Sequence, residues 1–181
     1  MLNQETKVAP RIYVACLAAY NAGKLHGRWI NAAQDAESIH AEIFKMLSQS
    51  PEIGAEEWAV HDFEGFGEIN LGEWPSIERV SILAQLIQDH GDAFSLWYVN
   101  QDGHATSAQD LEERFLEQWQ GIYESKIAFV DSLLEDTGQL NELPQWARNY
   151  FDYESYARDL ELSGDYSFIC HQGEIYAYNN Y

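Results

Sequence analysis

Acidic side chains alternate with aromatic and aliphatic ones through the run PEIGAEEWAVHDFEGFGEINLGEWPSIE, residues 51–78. The run holds eight carboxylates and no lysine or arginine. A disordered acidic tail lacks so many apolar residues, because it has no core to bury them in. We therefore expect an ordered segment that holds like charges at fixed separations, and this expectation constrains the fold more than any other feature.

The excess negative charge lies almost entirely after Lys45. The 181 residues include 30 acids and 10 bases, a net charge of −20. Residues 1–45 contribute a net of +1, whereas residues 46–181 hold 26 acids and five bases, a net of −21. This balance argues against binding to nucleic acid, which needs Lys and Arg opposite phosphates, and against an anionic membrane surface. A basic macromolecule is the expected partner, and acidity that serves only solubility is the alternative.

Local patterns predict an α+β fold made of three small units. Residues 1–70 are predicted to form an N-terminal unit with strands at 11–17, 25–30 and 58–63 and one helix that Asp35 caps. Residues 71–106 are predicted to form a central helical unit. Its helices begin after Ser76 and Asp92, and the turn cluster at residues 100–103 ends it.

Residues 107–181 are predicted to form a C-terminal unit of helices followed by a β-hairpin. Helices are expected to begin at Ser107, Ser125, Pro144 and Asp152, and the first of them is expected to continue as an apolar stripe as far as Trp119. Like charges repel less when they are spread along an extended body. We therefore predict an elongated chain, with a radius of gyration well above the roughly 16 Å of a compact domain of this length.

Catalytic residues, metal sites and cofactors are not predicted. The sequence has no HExxH, no GxSxG and no ordered calcium loop, and its many carboxylates make a chance acidic pair uninformative. Cys16 and Cys170 lie far apart and are typical of a reducing compartment. The first residues do not resemble a signal peptide and no apolar run approaches 18 residues, so we expect a cytoplasmic protein without a membrane span.

Three blocks of sequence carry a family resemblance. They are RIYVACLAAYNAGKLHGRWI at 11–30, EEWAVHDFEGF at 56–66 and ELPQWARNYFDYESYARDLELSGDY at 142–166. In this order they resemble the ArdA family of antirestriction proteins over almost the whole chain. The third block is similar to the antirestriction signature of that family.

The resemblance implies a DNA mimic: an elongated, acidic homodimer that occupies the DNA-binding groove of Type I restriction-modification enzymes and protects incoming mobile DNA. On this interpretation, carboxylates after Lys45 stand where phosphates would lie, and bases of the enzyme's groove are their partners. The bases near the N-terminus, such as Lys24 and Arg28, are interpreted as scaffold.

Three sets of residues follow from this interpretation. The acidic set comprises Glu56, Glu57, Asp62, Glu64, Glu68, Glu73, Glu78, Asp89, Asp92, Asp110, Glu112, Glu113, Glu117, Glu124, Asp131, Glu135 and Asp136. The signature set comprises Leu143, Pro144, Tyr150, Asp152, Tyr153, Tyr156 and Asp159, with packing of the third unit or of a dimer contact as the structural alternative. The candidates for a dimer contact are Phe115, Trp119, Phe129 and Val130, which are core residues on the alternative interpretation.

Two other classes of function stay open at this point. An acidic module that binds some other basic protein has the same composition but need not release DNA from a restriction enzyme. An enzyme of unknown chemistry is the third class, and turnover above background would reveal it.

Overall fold

The computed structural model describes residues 8–100 and 107–181. The chain divides into two compact units, Met1–Asp110 and Leu111–Tyr181. Over the described residues, each unit contains a three-stranded antiparallel sheet together with helices. The predicted α+β class is confirmed. Apart from its first residue, the predicted turn cluster at 100–103 lies outside the described residues.

The sheet of the first unit has the strand order β2-β1-β3. Its strands are β1 (Arg11–Cys16), β2 (Gly27–Asn31) and β3 (Trp58–Glu64), and a short helix α1 (Leu17–Asn21) follows β1. The central strand β1 is almost wholly buried from Ile12 onward, whereas β3 lies at an edge of the sheet.

A β-bulge interrupts the pairing of β1 with β3. Tyr13 pairs with Asp62, but the next residue, Val14, pairs with Val60, so His61 has no partner across the ladder. An extra residue of this kind breaks the alternation of side chains between the two faces. As a result, the side chains of the consecutive residues His61 and Asp62 are both exposed.

Helix α2 (Ala36–Ser48) covers the first sheet with one apolar face. Asp35 caps it by accepting a hydrogen bond from the Ser38 backbone N–H at 2.8 Å, as predicted. The face that it buries contains Ile39, Ile43, Met46 and Leu47. Their spacing matches a 3.6-residue period, which explains why a sequence pattern was sufficient to predict this helix.

Helix α3 (Ile77–Val99) begins at the predicted cap, Ser76, and contains a break at Gly91. Gly91 has φ 65° and ψ −144°, a conformation that is almost restricted to glycine. The two helical parts match the two predicted helices. The buried Ser81 hydroxyl donates to the Gln34 carbonyl at 2.6 Å and so ties α3 to the segment before α2. The described residues on both sides of the predicted boundary at 70/71 therefore lie within one compact unit.

The second sheet has the order β4-β6-β5, and β6 is its central strand. The buried ring of Phe129 lies in the core that packs against this sheet. It makes edge-to-face contacts with Tyr123, Tyr166 and Phe168 at ring-centroid distances of 5.2, 5.0 and 5.2 Å. The elements of this part of the chain are α4 (Ala108–Gln118), β4 (Trp119–Tyr123), α5 (Lys126–Thr137), a 3₁₀ turn (Gln139–Glu142), α6 (Gln145–Arg148), α7 (Tyr153–Ser163), β5 (Tyr166–His171) and β6 (Glu174–Asn179).

Strand β4 was not predicted. The apolar stripe of α4 is correct at Leu111 and Phe115, which are buried, but the predicted continuation of the helix to Trp119 is wrong. Trp119 instead starts a strand that pairs with Tyr178 near the end of the chain. The terminal hairpin of β5 and β6 was predicted correctly, since its pairing is local.

Candidate acidic interface

The seventeen acids predicted to form a mimic surface are all accessible to solvent. Fourteen are exposed, three are half-buried and none is buried. The half-buried ones are Glu64, Asp92 and Glu112. Burial in the described structure therefore withholds none of these charges from a partner.

Buried apolar residues alternate with the acids after β3. Phe66 and Ile69 are 1% and 3% exposed, while Glu68 and Glu73 nearby are exposed. The ring of Phe66 also packs edge-on against Phe63, with their centroids 6.0 Å apart. These contacts fix the backbone between the carboxylates, so the acidic run is ordered as its composition predicts.

Acids in the second unit lie in pairs along helices. Glu113 and Glu117 are four residues apart on α4, and Asp131 and Glu135 are four residues apart on α5. A rise of about 1.5 Å per residue places each pair about 6 Å apart along its helix axis. One strand of duplex DNA carries a phosphate about every 3.4 Å along the axis. The charge density along these helix faces is therefore of the same order as that of a nucleic-acid strand.

Bases near the N-terminus are engaged by acids of their own unit. The pairs are Arg11 with Glu64 at 2.6 Å, Lys24 with Glu52 at 2.6 Å and Arg28 with Glu42 at 3.3 Å. Surface pairs of this kind contribute little to stability. Their positions agree with the interpretation of these bases as scaffold.

The signature block holds a group of exposed apolar side chains. Leu143, Trp146 and Tyr150 are 37%, 72% and 84% exposed, and Pro144 between them is exposed too. Trp146 was not in the predicted set. Its segment has no repeating pattern of apolar residues that would place a tryptophan in a core, and this was a signal that could have identified it. This part of the block faces solvent in the single chain.

Three other signature residues, Asp152, Tyr153 and Tyr156, make contacts that stabilise the second unit. Asp152 caps α7 by accepting a hydrogen bond from the Ser155 N–H at 3.0 Å. Tyr153 and Tyr156 pack against Phe151, with ring centroids 5.1 and 5.4 Å apart. Asp159, by contrast, is exposed and lies beside Arg158.

Arg148 organises the exposed part of the block, and sequence reasoning missed it. Its guanidinium donates hydrogen bonds to the carbonyl oxygen of Leu143 at 3.0 Å and to the carbonyl oxygen of Asn141 at 3.0 Å. A third bond reaches the Asn141 side chain at 3.3 Å. Five donors in a fixed plane suit arginine to such a role, whereas lysine carries a single point charge.

Hydrogen bonds shift several pKa values at the acidic surface. Backbone and side-chain hydrogen bonds from Ser155 lower the pKa of Asp152. The Ser76 hydroxyl likewise lowers the pKa of Glu78. At the end of the chain, a hydrogen bond to Asp165 raises the pKa of Tyr181 to about 12.

Three of the four candidates for a dimer contact are buried within the chain. Phe115, Phe129 and Val130 are 1%, 2% and 0% exposed. Trp119 is half-buried and stacks on Phe115, with ring centroids 5.9 Å apart. The structure therefore favours the core interpretation, because these side chains are occupied within the chain. Of the apolar residues on α5, Ile127 is 47% exposed.

Within residues 8–100 and 107–181, no group of three or more His, Cys, Asp or Glu side chains is arranged to hold a metal ion. Over the same residues, no helix is both long and apolar enough to span a membrane.

Comparison with known proteins identifies the family. None of the curated proteins matches this chain. The family model described as antirestriction protein (ArdA) matches residues 12–174. The matched range contains the three blocks quoted above, apart from Arg11, and covers most of both compact units. The chain therefore belongs to the ArdA family of antirestriction proteins.

Proposed function

We propose that this protein inhibits Type I restriction-modification enzymes by occupying their DNA-binding groove with its acidic surface. The observation that carries the proposal is the accessibility of all seventeen predicted acids on an ordered, aromatic-rich scaffold. On this account the inhibitor turns over no substrate. Incoming mobile DNA is protected in the cytoplasm because the enzyme's groove is already filled.

The amount of charge suits a duplex-binding groove. Residues 46–181 carry a net charge of −21. Duplex DNA carries one charge per about 1.7 Å, so this charge corresponds to about 36 Å of duplex, roughly one helical turn. In a symmetric homodimer, which we include in the proposal, the charged length doubles.

Order in the acidic surface supports tight binding. A flexible acidic chain loses conformational freedom when it is immobilised, and this loss weakens association. Here Phe66 and Ile69 hold the backbone beside Glu68 and Glu73 before any partner arrives. A smaller part of the interaction free energy is therefore spent on ordering the acidic segment.

DNA displacement tests the proposal. A purified Type I enzyme bound to a fluorescent duplex is titrated with the protein, and DNA release is followed by anisotropy. We expect release in proportion to occupancy of the groove. A variant with eight of the seventeen acids changed to Asn or Gln, checked for folding by circular dichroism, serves as the control and should release DNA poorly. Inhibition of the enzyme without any DNA release would show that the protein binds elsewhere.

A further inference from the structure

A groove of about 450 Å³ opens along the outer edge of β3 in the first unit. Tyr20, His61, Asp62, Asn70 and Glu73 are among the residues that line it, and we call it the β3 groove. One wall is β3 itself, and the other is the segment that contains residues 70–73. The two walls are joined by a hydrogen bond from the Val60 N–H to the Glu73 carbonyl oxygen at 3.1 Å.

The bulge in β3 supplies two consecutive side chains to this groove. In a regular strand, His61 and Asp62 would point to opposite faces. Because His61 is the extra residue of the bulge, both side chains are exposed and both line the groove. Bulges commonly re-aim side chains in this way beside binding sites.

An aromatic ring forms part of the groove. Tyr20, on α1, contacts His61 edge-to-face, with ring centroids 4.9 Å apart and an interplanar angle of 84°. Tyr20 is 55% exposed, so much of its ring is available to a ligand. A cation beside such a ring is attracted by its π-electrons.

Two carboxylates give the groove its charge. Asp62 and Glu73 are both exposed. The Asp62 carboxylate accepts a hydrogen bond from the N–H of Phe63 at 2.8 Å, which still leaves acceptor capacity. Among the residues that the structure describes, neither carboxylate has a Lys or Arg partner. The groove therefore offers uncompensated negative charge next to an aromatic ring.

Arginine is the side chain that uses all of these features at once. Its planar guanidinium can donate paired hydrogen bonds to carboxylates and can stack on an aromatic ring, whereas lysine presents a compact point charge. We propose that the β3 groove binds one arginine side chain of the target enzyme, an inference that rests on the proposed function. The groove would then be a discrete contact within an otherwise distributed field of charge.

Direct binding tests the groove without the enzyme. The full-length protein, labelled with ¹⁵N, is titrated with N-acetylarginine amide and separately with N-acetyllysine amide. We expect backbone amide shifts at residues 60–62 and 70–73, with arginine binding at least about threefold more tightly than lysine. In Asp62→Asn/Glu73→Gln these shifts should be lost. Equal binding of the two probes, or shifts spread evenly over the acidic surface, would overturn the proposal.

Displacement of DNA from the enzyme then tests the role of the groove in inhibition. The control variant, Asp131→Asn/Glu135→Gln, also removes two exposed carboxylates but lies on α5. We expect the concentration for half-displacement to rise about tenfold for the groove variant and less than about threefold for the control. Tyr20→Leu, which changes no charge, should raise it about threefold.

The two tests fail in different ways. Equal losses in the groove and control variants would overturn the arginine site while leaving displacement of DNA intact. If the unaltered protein displaces no DNA, the proposed function is wrong, and the arginine titration then reports on the groove by itself.

Discussion

Phe129 gives the sharpest test of whether the apolar stripe of α5 belongs to the core or to a partner contact. The ring is 2% exposed and meets three other aromatic rings edge-to-face at centroid distances of 5.0 to 5.2 Å. Removing a buried phenylalanine side chain costs about 3–5 kcal/mol, and this total already includes the loss of its contacts with neighbouring rings. We therefore expect Phe129→Ala to lower the free energy of unfolding of the second unit by about 4 kcal/mol.

Native-state hydrogen exchange measures this loss of stability in the core that contains Phe129. Ala177 lies on the central strand β6, belongs to the same core cluster and is fully buried, so its amide reports the opening of that core. Ile127→Ala is the matched control, because Ile127 is on the same helix but 47% exposed, and it should cost about 1 kcal/mol or less. Phe129→Leu, at a cost of about 1.5 kcal/mol, keeps the test possible if the alanine variant does not fold.

The contrary result is equally specific. If Phe129→Ala leaves the exchange of Ala177 unchanged but weakens self-association in sedimentation experiments, Phe129 faces a partner chain. The packing described here would then be wrong.

Three further predictions follow from the signature block and the charge array. Hydrogen bonds from Ser155 lower the pKa of Asp152 from its usual 3.8, so the Asp152 cap stabilises α7 fully above pH 3.8 and less as the pH falls through the lowered pKa. Amide exchange of α7 should become faster over that range. In Asp152→Asn, whose side chain caps without titrating, the exchange should not change in this way. Arg148→Ala should release the exposed segment and lower the ¹⁵N heteronuclear NOE of the Trp146 indole N–H. Arg158→Ala, which removes the same charge, should leave that value unchanged. Outside the β3 groove, changing single acids between residues 56 and 136 should alter DNA displacement little, and changing six to eight together should weaken it progressively. Abolition by any one of them would indicate a local hot spot instead.

Local signals predicted the helix starts well. Asp35, Ser76, Ser125 and Asp152 were each predicted to begin a helix, and each accepts a hydrogen bond from the backbone N–H three residues later. Such a cap depends on neighbours within one turn, so it can be read from a short segment. The αL cap at Gly138 was predictable for the same reason.

Features that depend on distant partners were missed. The apolar pattern of α4 runs on into strand β4. Only the pairing of β4 with β6, in which Trp119 lies opposite Tyr178, determines that this segment is extended. The bulge at His61 depends likewise on the register between β1 and β3. The hydrogen bonds of Arg148 depend on the path of the chain from Asn141 to Leu143, for which the sequence has no periodic signal.

The candidate site was predictable in composition but not in detail. Which residues carry charge, and that they lie among apolar residues, is written in the sequence from Glu56 to Asp136. The grouping of Tyr20 with Asp62 and Glu73 in one groove required the fold, because α1, β3 and the loop after it are separate in the chain. The burial of Phe115, Phe129 and Val130 also became evident only from the packed core.

Salt dependence of binding tests the central claim most directly. The affinity of the protein for a purified Type I enzyme is measured between about 50 and 200 mM salt, without DNA present. If many fixed carboxylates replace phosphates in a basic groove, the affinity should fall steeply and continuously over this range. An affinity that stays constant would contradict the account, because it would show that apolar contacts, and not the array of charges, hold the protein on the enzyme.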